Sequence, residues 1–274
     1  MDRLDSYRRK VLESSGPVGS ERIPLAAAWG RVLAVSARAA RAVPAHDCSA
    51  MDGYAVRQAD LAGSVELVVR SVIYAGDMPG APLAPGEAVR IFTGAPLPDG
   101  ADSVVQEEST EARGGRVLVR HGVRRGENVR EAGEDVAREG EALPAGTRLG
   151  ARQVALLTAV GCEEVEVRRR VRVAILSTGD EVVKGRTPDS NGTALAGLLE
   201  ECGFAVTRSA VEDEAGALRA ALERALAGAD ALVTVGGVSV GERDLVPGSL
   251  RAIGAEIRVH GVPMKPGTRE EEWL

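Results

Sequence analysis

The stretch VRVAILSTGDEVV, residues 171–183, decides the fold of the C-terminal half of this sequence. Residues 171–177 form a mostly apolar run rich in Val, Ile and Leu, which is typical of a buried strand. The run ends at Ser177, and Thr178, Gly179 and two acidic residues follow directly. Because ligands bind at the carboxyl ends of parallel strands, this run predicts a sheet with a candidate site at its edge.

Helix and strand patterns alternate after this strand. The first helix pattern places Leu198 and Cys202 on one apolar face and ends at Gly203, so we expect Cys202 to lie in the core. The patterns that follow are a strand at 204–211, a helix at 214–228, a strand at 230–237 and a helix at 245–254. This order predicts a parallel sheet with crossover helices.

The part of the chain before residue 151 has a different sequence pattern. Short Val, Leu and Ile runs alternate there with Gly, Pro and Asp clusters, which indicates an all-β domain with several turns. The runs are 65–74, 87–92, 102–107 and 116–120. Residues 151–160 return to a helical pattern, and residues 1–40 have helical spacing with a second segment opening at Pro24.

These patterns predict a multidomain fold of α+β and α/β character. A β-rich domain is inserted in a helical linker region, and a parallel-sheet α/β domain follows. The predicted divisions are a helical linker domain of 1–43 plus 141–170, a β-rich domain of 44–140, an α/β domain of 171–267 and an atypical tail of 268–274.

Composition narrows the function classes. A formal net charge of −6 argues against a general nucleic-acid binder, which usually presents a basic surface. The sequence has no apolar run of roughly 18 residues and its first residues are charged, so we expect a cytoplasmic protein without a membrane span. Three widely spaced cysteines suggest neither a disulfide framework nor a structural zinc site.

Acidic residues recur at the predicted strand ends. Asp180, Glu181, Asp213 and Asp244 all map to one edge of the predicted sheet. Carboxylates crowded together repel one another unless a cation or a proton intervenes, and hard oxygen ligands suit Mg²⁺ bound with a phosphorylated ligand. The alternatives are solvated loop acids and, for Asp213, a helix N-cap.

Two loops carry the residues expected to approach such a ligand. Backbone N–H groups of Ser177, Thr178 and Gly179 are placed to hold an anion. The second loop offers Gly236, Gly237 and Gly241 for close backbone approach and Ser239 for its hydroxyl, and it matches neither the dinucleotide nor the Walker A pattern. A merely flexible glycine turn is the alternative.

Six motifs, in order, resemble the molybdopterin molybdenumtransferase family, also called the MoeA or gephyrin E-domain family. They are CSAMDGYAVR, RIFTGAPLPDGADSVVQEE, GENVREAGEDV, VAILSTGDEVV, DSNGTALAGLLEECG and VTVGGVSVGERD. The resemblance covers roughly residues 5–267. It implies Mg²⁺-dependent homodimers that insert molybdate into adenylylated molybdopterin and release AMP, at a site shared between the α/β domain of one subunit and the β domain of the other.

The resemblance also implies site residues, taken motif by motif. They are Asp52, Thr93, Asp135, Glu181, Asp213, Asp244 and Lys265, with Glu181, Asp213 and Asp244 as the magnesium ligands. Acidic residues would hold the cation, while Lys265 and backbone amides would offset the charge of substrate and molybdate. Without the resemblance, the residues around Asp52 would be interpreted as a structural turn.

The sequence departs from the family pattern at its end, MKPGTREEEWL, where Thr268 replaces an expected lysine. We therefore expect an incomplete α/β domain and impaired catalysis. The alternatives to the enzyme are a molybdopterin-binding or dimerising fragment without turnover, and a scaffold protein. The retained acidic residues favour the enzyme or the molybdopterin-binding fragment, because a scaffold protein does not need these residues together.

Overall fold

The structure, a computed structural model, describes residues 3–13, 15–79, 81–237 and 245–256. The helices are α1 Arg3–Glu13, α2 Ala151–Ala159, α3 Asp180–Val183, α4 Ser190–Glu201, α5 Ala215–Gly228 and α6 Val246–Ala252. The strands are β1 Ser20–Pro24, β2 Ala37–Arg38, β3 Cys48–Ser49, β4 Gly53–Val56, β5 Val65–Ile73, β6 Glu87–Ile91, β7 Ser103–Gln106, β8 Thr110–Arg113, β9 Arg116–Val119, β10 Val129–Arg130, β11 Glu141–Leu143, β12 Glu164–Arg168, β13 Arg172–Thr178, β14 Ala205–Val211 and β15 Ala231–Val235.

The chain divides into two compact units. Residues 22–166 form one, which we call the β-rich unit, and the segment up to Glu21 joins the chain from Val167 onward in the other, the α/β unit. The observed elements confirm the predicted fold class, with a β-rich region before a parallel-sheet α/β region. The four predicted boundaries between domains stay a prediction.

A six-stranded mixed sheet dominates the β-rich unit, in the order β7-β4-β6-β5-β9-β8. Successive side chains along a strand point to opposite faces of the sheet, so they contribute to separate apolar clusters on the two faces. Tyr54, Val56 and Ala88 contribute to one cluster. Ala55 and Val89, their neighbours in sequence, contribute to the other. The runs predicted as strands around residues 65–120 are therefore confirmed, because each supplies side chains to this buried sheet.

Strand β4 was not predicted, because the MDGY motif was interpreted as a turn. The strand is only four residues long but is buried throughout, between β6 and β7. A Cβ atom added to Gly53 would lie 2.0 Å from the carbonyl oxygen of Val105 in β7. Since no side chain fits in that space, the glycine is required by the close approach of two backbones.

The α/β unit contains a parallel sheet in the order β14-β13-β15. Its core joins the central strand to α5 through Leu176, Leu218 and Leu222. At the start of the sheet, the carboxylate of Asp230 accepts hydrogen bonds of 2.6 and 2.7 Å from the Arg169 guanidinium. The predicted alternation of strands and crossover helices is confirmed.

Two local predictions are wrong. Cys202 is exposed, as is Leu198 at 59%, because α4 buries the opposite face, through Gly192 and Ala196. The helical pattern expected over residues 1–40 is interrupted: α1 and a short 3₁₀ helix at Leu25–Ala27 are present, but the chain from Ser20 to Pro24 pairs as strand β1 with β12. The predicted helix at 151–160 is confirmed as α2, but strands β11 and β12 flank it.

Substitution of Gly53 by alanine tests the close approach of β4 and β7. We expect Gly53→Ala to lower the free energy of unfolding by about 3 kcal/mol, because the strands must separate to admit the methyl group. Gly63→Ala is the control: φ there is +81° but nothing lies within 4 Å of the added Cβ atom. Its expected cost is about 1 kcal/mol, from backbone conformation alone. Urea denaturation followed by circular dichroism measures both; equal losses would contradict the steric argument.

Candidate functional site

Asp52 lies at the start of β4 and is held by Thr93, just beyond β6. The Asp52 carboxylate oxygen Oδ1 accepts a 2.8 Å hydrogen bond from the Thr93 backbone N–H and a 2.7 Å hydrogen bond from its hydroxyl. These bonds, the backbone one first, hold the pKa of Asp52 below its ordinary value. Asp52 is therefore an exposed, ionised carboxylate with a fixed orientation.

Arg90 and Glu107 complete this part of the sheet. The Arg90 guanidinium donates a 2.8 Å hydrogen bond to the Glu107 carboxylate and lies 5.4 Å from the ring centroid of Phe92. Its positive charge also contributes to the lowered pKa of Asp52. Sequence reasoning missed both Arg90 and Glu107. The available signal was their position inside the motif that also contains Thr93.

Asp135 lies on a different element. Its carboxylate accepts a 2.7 Å hydrogen bond from Arg130, a residue of strand β10, and its backbone N–H donates to the Val43 carbonyl. Strand β10 pairs with β3, where Arg130 is opposite Cys48. Within the described part of the chain, no direct bond joins Asp135 to Asp52, so their shared role stays a prediction.

In the α/β unit, the ends of β13 and β14 are linked by Asp180. Its carboxylate accepts a 3.2 Å hydrogen bond from the Asp213 backbone N–H and a 2.8 Å hydrogen bond from the Lys184 ammonium. The Lys184 bond and then the Asp213 bond lower the pKa of Asp180. Two of the predicted loops thus meet at one edge of the sheet. The N-cap of α5 is Glu214, so Asp213 does not have that role.

Glycines at the ends of β13 and β15 allow a tight arrangement there. A Cβ atom on Gly236 or Gly237 would lie 2.9 or 3.0 Å from the Thr178 hydroxyl, and both glycines have positive φ. A Cβ atom on Gly179 would lie 2.8 Å from the Glu181 carboxylate, which folds back over it. The structure therefore brings together predicted residues of three strand ends.

Ser177 has a structural partner that sequence reasoning missed. Its hydroxyl donates a 2.8 Å hydrogen bond to Asp189, which also accepts from Arg208 at 3.0 Å and from the Gly192 backbone N–H at 2.9 Å. Burial raises the pKa of Asp189, but these three hydrogen bonds outweigh it and the net pKa is lowered. Asp189 is the N-cap of α4, and an Asp just before a helix pattern was the available signal.

A groove runs beside this edge of the sheet. It has a volume of about 460 Å³, with Asn191, Leu195 and Leu198 of α4 on one side and residues 234–236 on the other. The exposed Leu198 therefore lines a groove that also includes Gly236, just beyond the end of β15. Apolar side chains together with the polar side chains of Asn191 and Thr234 suit an organic ligand that carries polar groups.

Four predicted site residues lie outside the described residues: Ser239, Gly241, Asp244 and Lys265. Among the residues that the structure describes, no three His, Cys, Asp or Glu side chains are arranged to hold a metal ion. Because Asp244 is one of the three predicted ligands, the magnesium site stays a prediction. No helix in the described ranges is long and apolar enough to cross a membrane.

Comparisons with known proteins match both units. The family model described as MoeA N-terminal region (domain I and II) matches residues 3–161, and the one described as probable molybdopterin binding domain matches residues 174–270. A molybdopterin molybdenumtransferase from Nostoc sp. is 41% identical, over 90% of this chain and 60% of its own length. The one from Haemophilus influenzae is 35% identical, over 96% of this chain and 68% of its own length.

A solved structure agrees with these matches. The molybdopterin biosynthesis MoeA protein from Pyrococcus horikoshii superposes with a TM-score of 0.79 at 33% identity, covering 96% of this chain and 69% of that one. The fold and the family matches thus define a protein in which a β-rich region precedes an α/β domain of the probable molybdopterin-binding type. The chain belongs to the molybdopterin molybdenumtransferase (MoeA) family, and it spans between 60% and 70% of the length of these relatives.

Neutralising Asp189 tests the hydrogen-bond network under the strand-end site. We expect Asp189→Asn to lower the melting temperature by about 3–6 °C at pH 7, because Asn keeps the helix cap but loses the charge that Arg208 contacts. The folded pKa of Asp189 is lowered, so its contribution is complete above the unfolded value of about 4 and is lost as pH falls through the folded value.

The difference in melting temperature between wild type and Asp189→Asn should therefore shrink as pH falls from about 4 through the lowered folded pKa of Asp189. Glu223→Gln, at an exposed position of α5, is the matched control and should leave the melting temperature unchanged at every pH. A constant difference across this pH range would show that the charge of Asp189 contributes nothing.

Proposed function

We propose that this protein acts in molybdenum cofactor biosynthesis, inserting molybdate into adenylylated molybdopterin with release of AMP. Membership of the molybdopterin molybdenumtransferase family supports the reaction class. The observation that carries the proposal is the pair of hydrogen bonds by which Thr93 fixes the ionised carboxylate of Asp52. Two residues from separate motifs of the family resemblance are thereby joined.

The α/β unit would bind the anionic part of the substrate. Gly236 is exposed and Gly237 is half-buried, and both have positive φ, so the backbone just beyond β15 is open to a phosphate group. The groove beside α4 would receive the organic part of the ligand. Backbone N–H groups would bind the phosphate by hydrogen bonds, so this loop would not need a positively charged side chain of its own.

Asp52 would position a reacting group through its second oxygen. Both Thr93 bonds end on Oδ1, which leaves Oδ2 to accept a hydrogen bond from the ligand. An ionised carboxylate in a fixed orientation stabilises developing positive charge or orients a water molecule without first reorganising. We propose Asp135 as a further acidic residue of this site, oriented by Arg130.

Magnesium fits the chemistry of the strand-end residues. Glu181 and Asp213 offer carboxylate oxygens at the ends of neighbouring strands, and we propose that they hold Mg²⁺ together with Asp244. When bound, the cation would offset the negative charge of the phosphates and of molybdate. We propose Lys265 as the basic partner. Asp180 is already paired with Lys184 and is better placed to orient the loop.

The assembly is also a proposal. The family resemblance supports a homodimer in which the β-rich unit of one subunit and the α/β unit of its partner share a site. Asp52 and the strand-end residues lie in different units of one chain, which agrees with separate contributions to such a site. The cytoplasmic localisation expected from the sequence stays a prediction.

Molybdate-dependent AMP release tests the proposal. The purified chain is incubated with adenylylated molybdopterin and Mg²⁺, and AMP is measured by chromatography after molybdate is added. We expect Asp52→Asn to reduce the rate about 100-fold, because the charge is lost while the side-chain shape is kept. Asp99→Asn, at another exposed position of the β-rich unit, is the control and should retain the wild-type rate.

Two outcomes would contradict the proposal. Equal rates for wild type and Asp52→Asn would remove Asp52 from the reaction. Substrate binding by the wild-type chain without any AMP release would favour the alternative function, a protein that binds molybdopterin without turnover.

A further inference from the structure

An aromatic pair lies beside Asp52 on one face of the six-stranded sheet. Tyr54 and Ala88 point into the apolar cluster on that face, and alternation along β6 places Arg90 and Phe92 on the same face, further toward the end of the strand. Tyr74, just beyond the end of β5, stacks on Phe92. The cluster formed by Tyr74, Phe92 and Arg90, which we call the aromatic platform, thus extends the buried face toward solvent.

The two rings are nearly parallel and well anchored. Their centroids are 4.9 Å apart and their planes differ by 7°. The Tyr74 backbone N–H donates a 2.8 Å hydrogen bond to Asp77, and the Phe92 N–H donates to the Ile73 carbonyl at 3.3 Å. Tyr74 nevertheless remains 56% exposed. Because Phe92 is half-buried, Tyr74 supplies most of the ring surface that the pair presents to solvent, where burial would ordinarily be favoured.

Charged groups surround this surface. Arg90 lies over Phe92 and is paired with Glu107, and the Asp52 carboxylate lies within the electrostatic influence of Arg90. A purely apolar occupant would separate these charges from water without offering them hydrogen bonds. A planar ring with polar edges satisfies both requirements, because its face stacks while its amino and carbonyl groups reach the carboxylates and the guanidinium.

We propose that Tyr74 and Phe92 form a stacking site for a planar heteroaromatic ring of the ligand, whose polar edge faces Asp52 and Arg90. This inference rests on the proposed function, since both the pterin and the adenine of adenylylated molybdopterin are rings of this kind. The chemistry of the platform is common to the two rings, so binding measurements with each ring must distinguish them.

Binding of separate ring compounds tests the platform independently of turnover. The full chain is titrated with free pterin and, separately, with AMP, by isothermal titration calorimetry. We expect Tyr74→Leu and Phe92→Leu each to weaken binding of one of these compounds roughly tenfold, because stacking is lost while an apolar side chain remains. Tyr74→Phe keeps the ring and should retain wild-type affinity.

Trp29→Leu is the matched control, since Trp29 is an aromatic residue of the same unit with 55% exposure that lies outside the six-stranded sheet. It should not change either affinity, and circular dichroism melts show whether each variant is folded. Weakened pterin binding would assign the platform to the pterin, and weakened AMP binding to the adenine.

The proposal of a stacking site is overturned if neither compound binds to the wild-type chain. It is also overturned if folded Tyr74→Leu and Phe92→Leu variants bind both compounds as tightly as wild type. Failure of the proposed function has a different signature. In that case molybdate-dependent AMP release is absent or insensitive to Asp52→Asn, whatever the ring affinities are.

Discussion

Both candidate sites depend on one constraint. At glycine positions, neighbouring segments of the chain approach so closely that no side chain would fit. At Gly53 an added Cβ atom would overlap the Val105 carbonyl, so β4 lies between its neighbours only because that position is glycine. This placement sets Asp52 beside Thr93. In the α/β unit, Gly236 and Gly237 lie against Thr178 in the same manner. The polar residues are thus positioned by the glycines next to them.

The predictable part of the fold is the part governed by local pattern. Apolar runs separated by turn residues predicted the long strands of the β-rich unit, and alternation predicted the parallel sheet around β13. Strand β4 was missed because it is only four residues long and begins with glycine, a residue depleted in strands. Cys202 was placed in the core, on a helix face shared with Leu198, because periodicity identifies an apolar face of a helix but not which face the sheet covers.

The candidate site was predictable to a similar extent. Strand-end positions indicated the loops that contain Asp180, Asp213 and Gly236. The structure joins these strand ends through the hydrogen bond from the Asp213 backbone N–H to the Asp180 carboxylate and through the close approach of Gly236 to Thr178. The pairing of Asp189 with Arg208 could not be predicted, since it joins a helix cap to a strand 19 residues away. Likewise, the stacking of Tyr74 on Phe92 depends on the parallel register of β5 and β6, which nothing local in the sequence specifies.

The protonation state of the described acids limits the chemistry that they can perform. Asp52, Asp180 and Asp189 all have a pKa below the ordinary value, and in each case hydrogen bonds to the carboxylate lower it. At neutral pH these groups are ionised, so they accept hydrogen bonds or bind cations and do not donate protons. A reaction that exchanges oxyanions and cleaves a phosphate linkage needs charge held in fixed positions more than it needs a general acid. In the proposed reaction, the arrangement of the acids therefore favours electrostatic positioning as the main role of these residues.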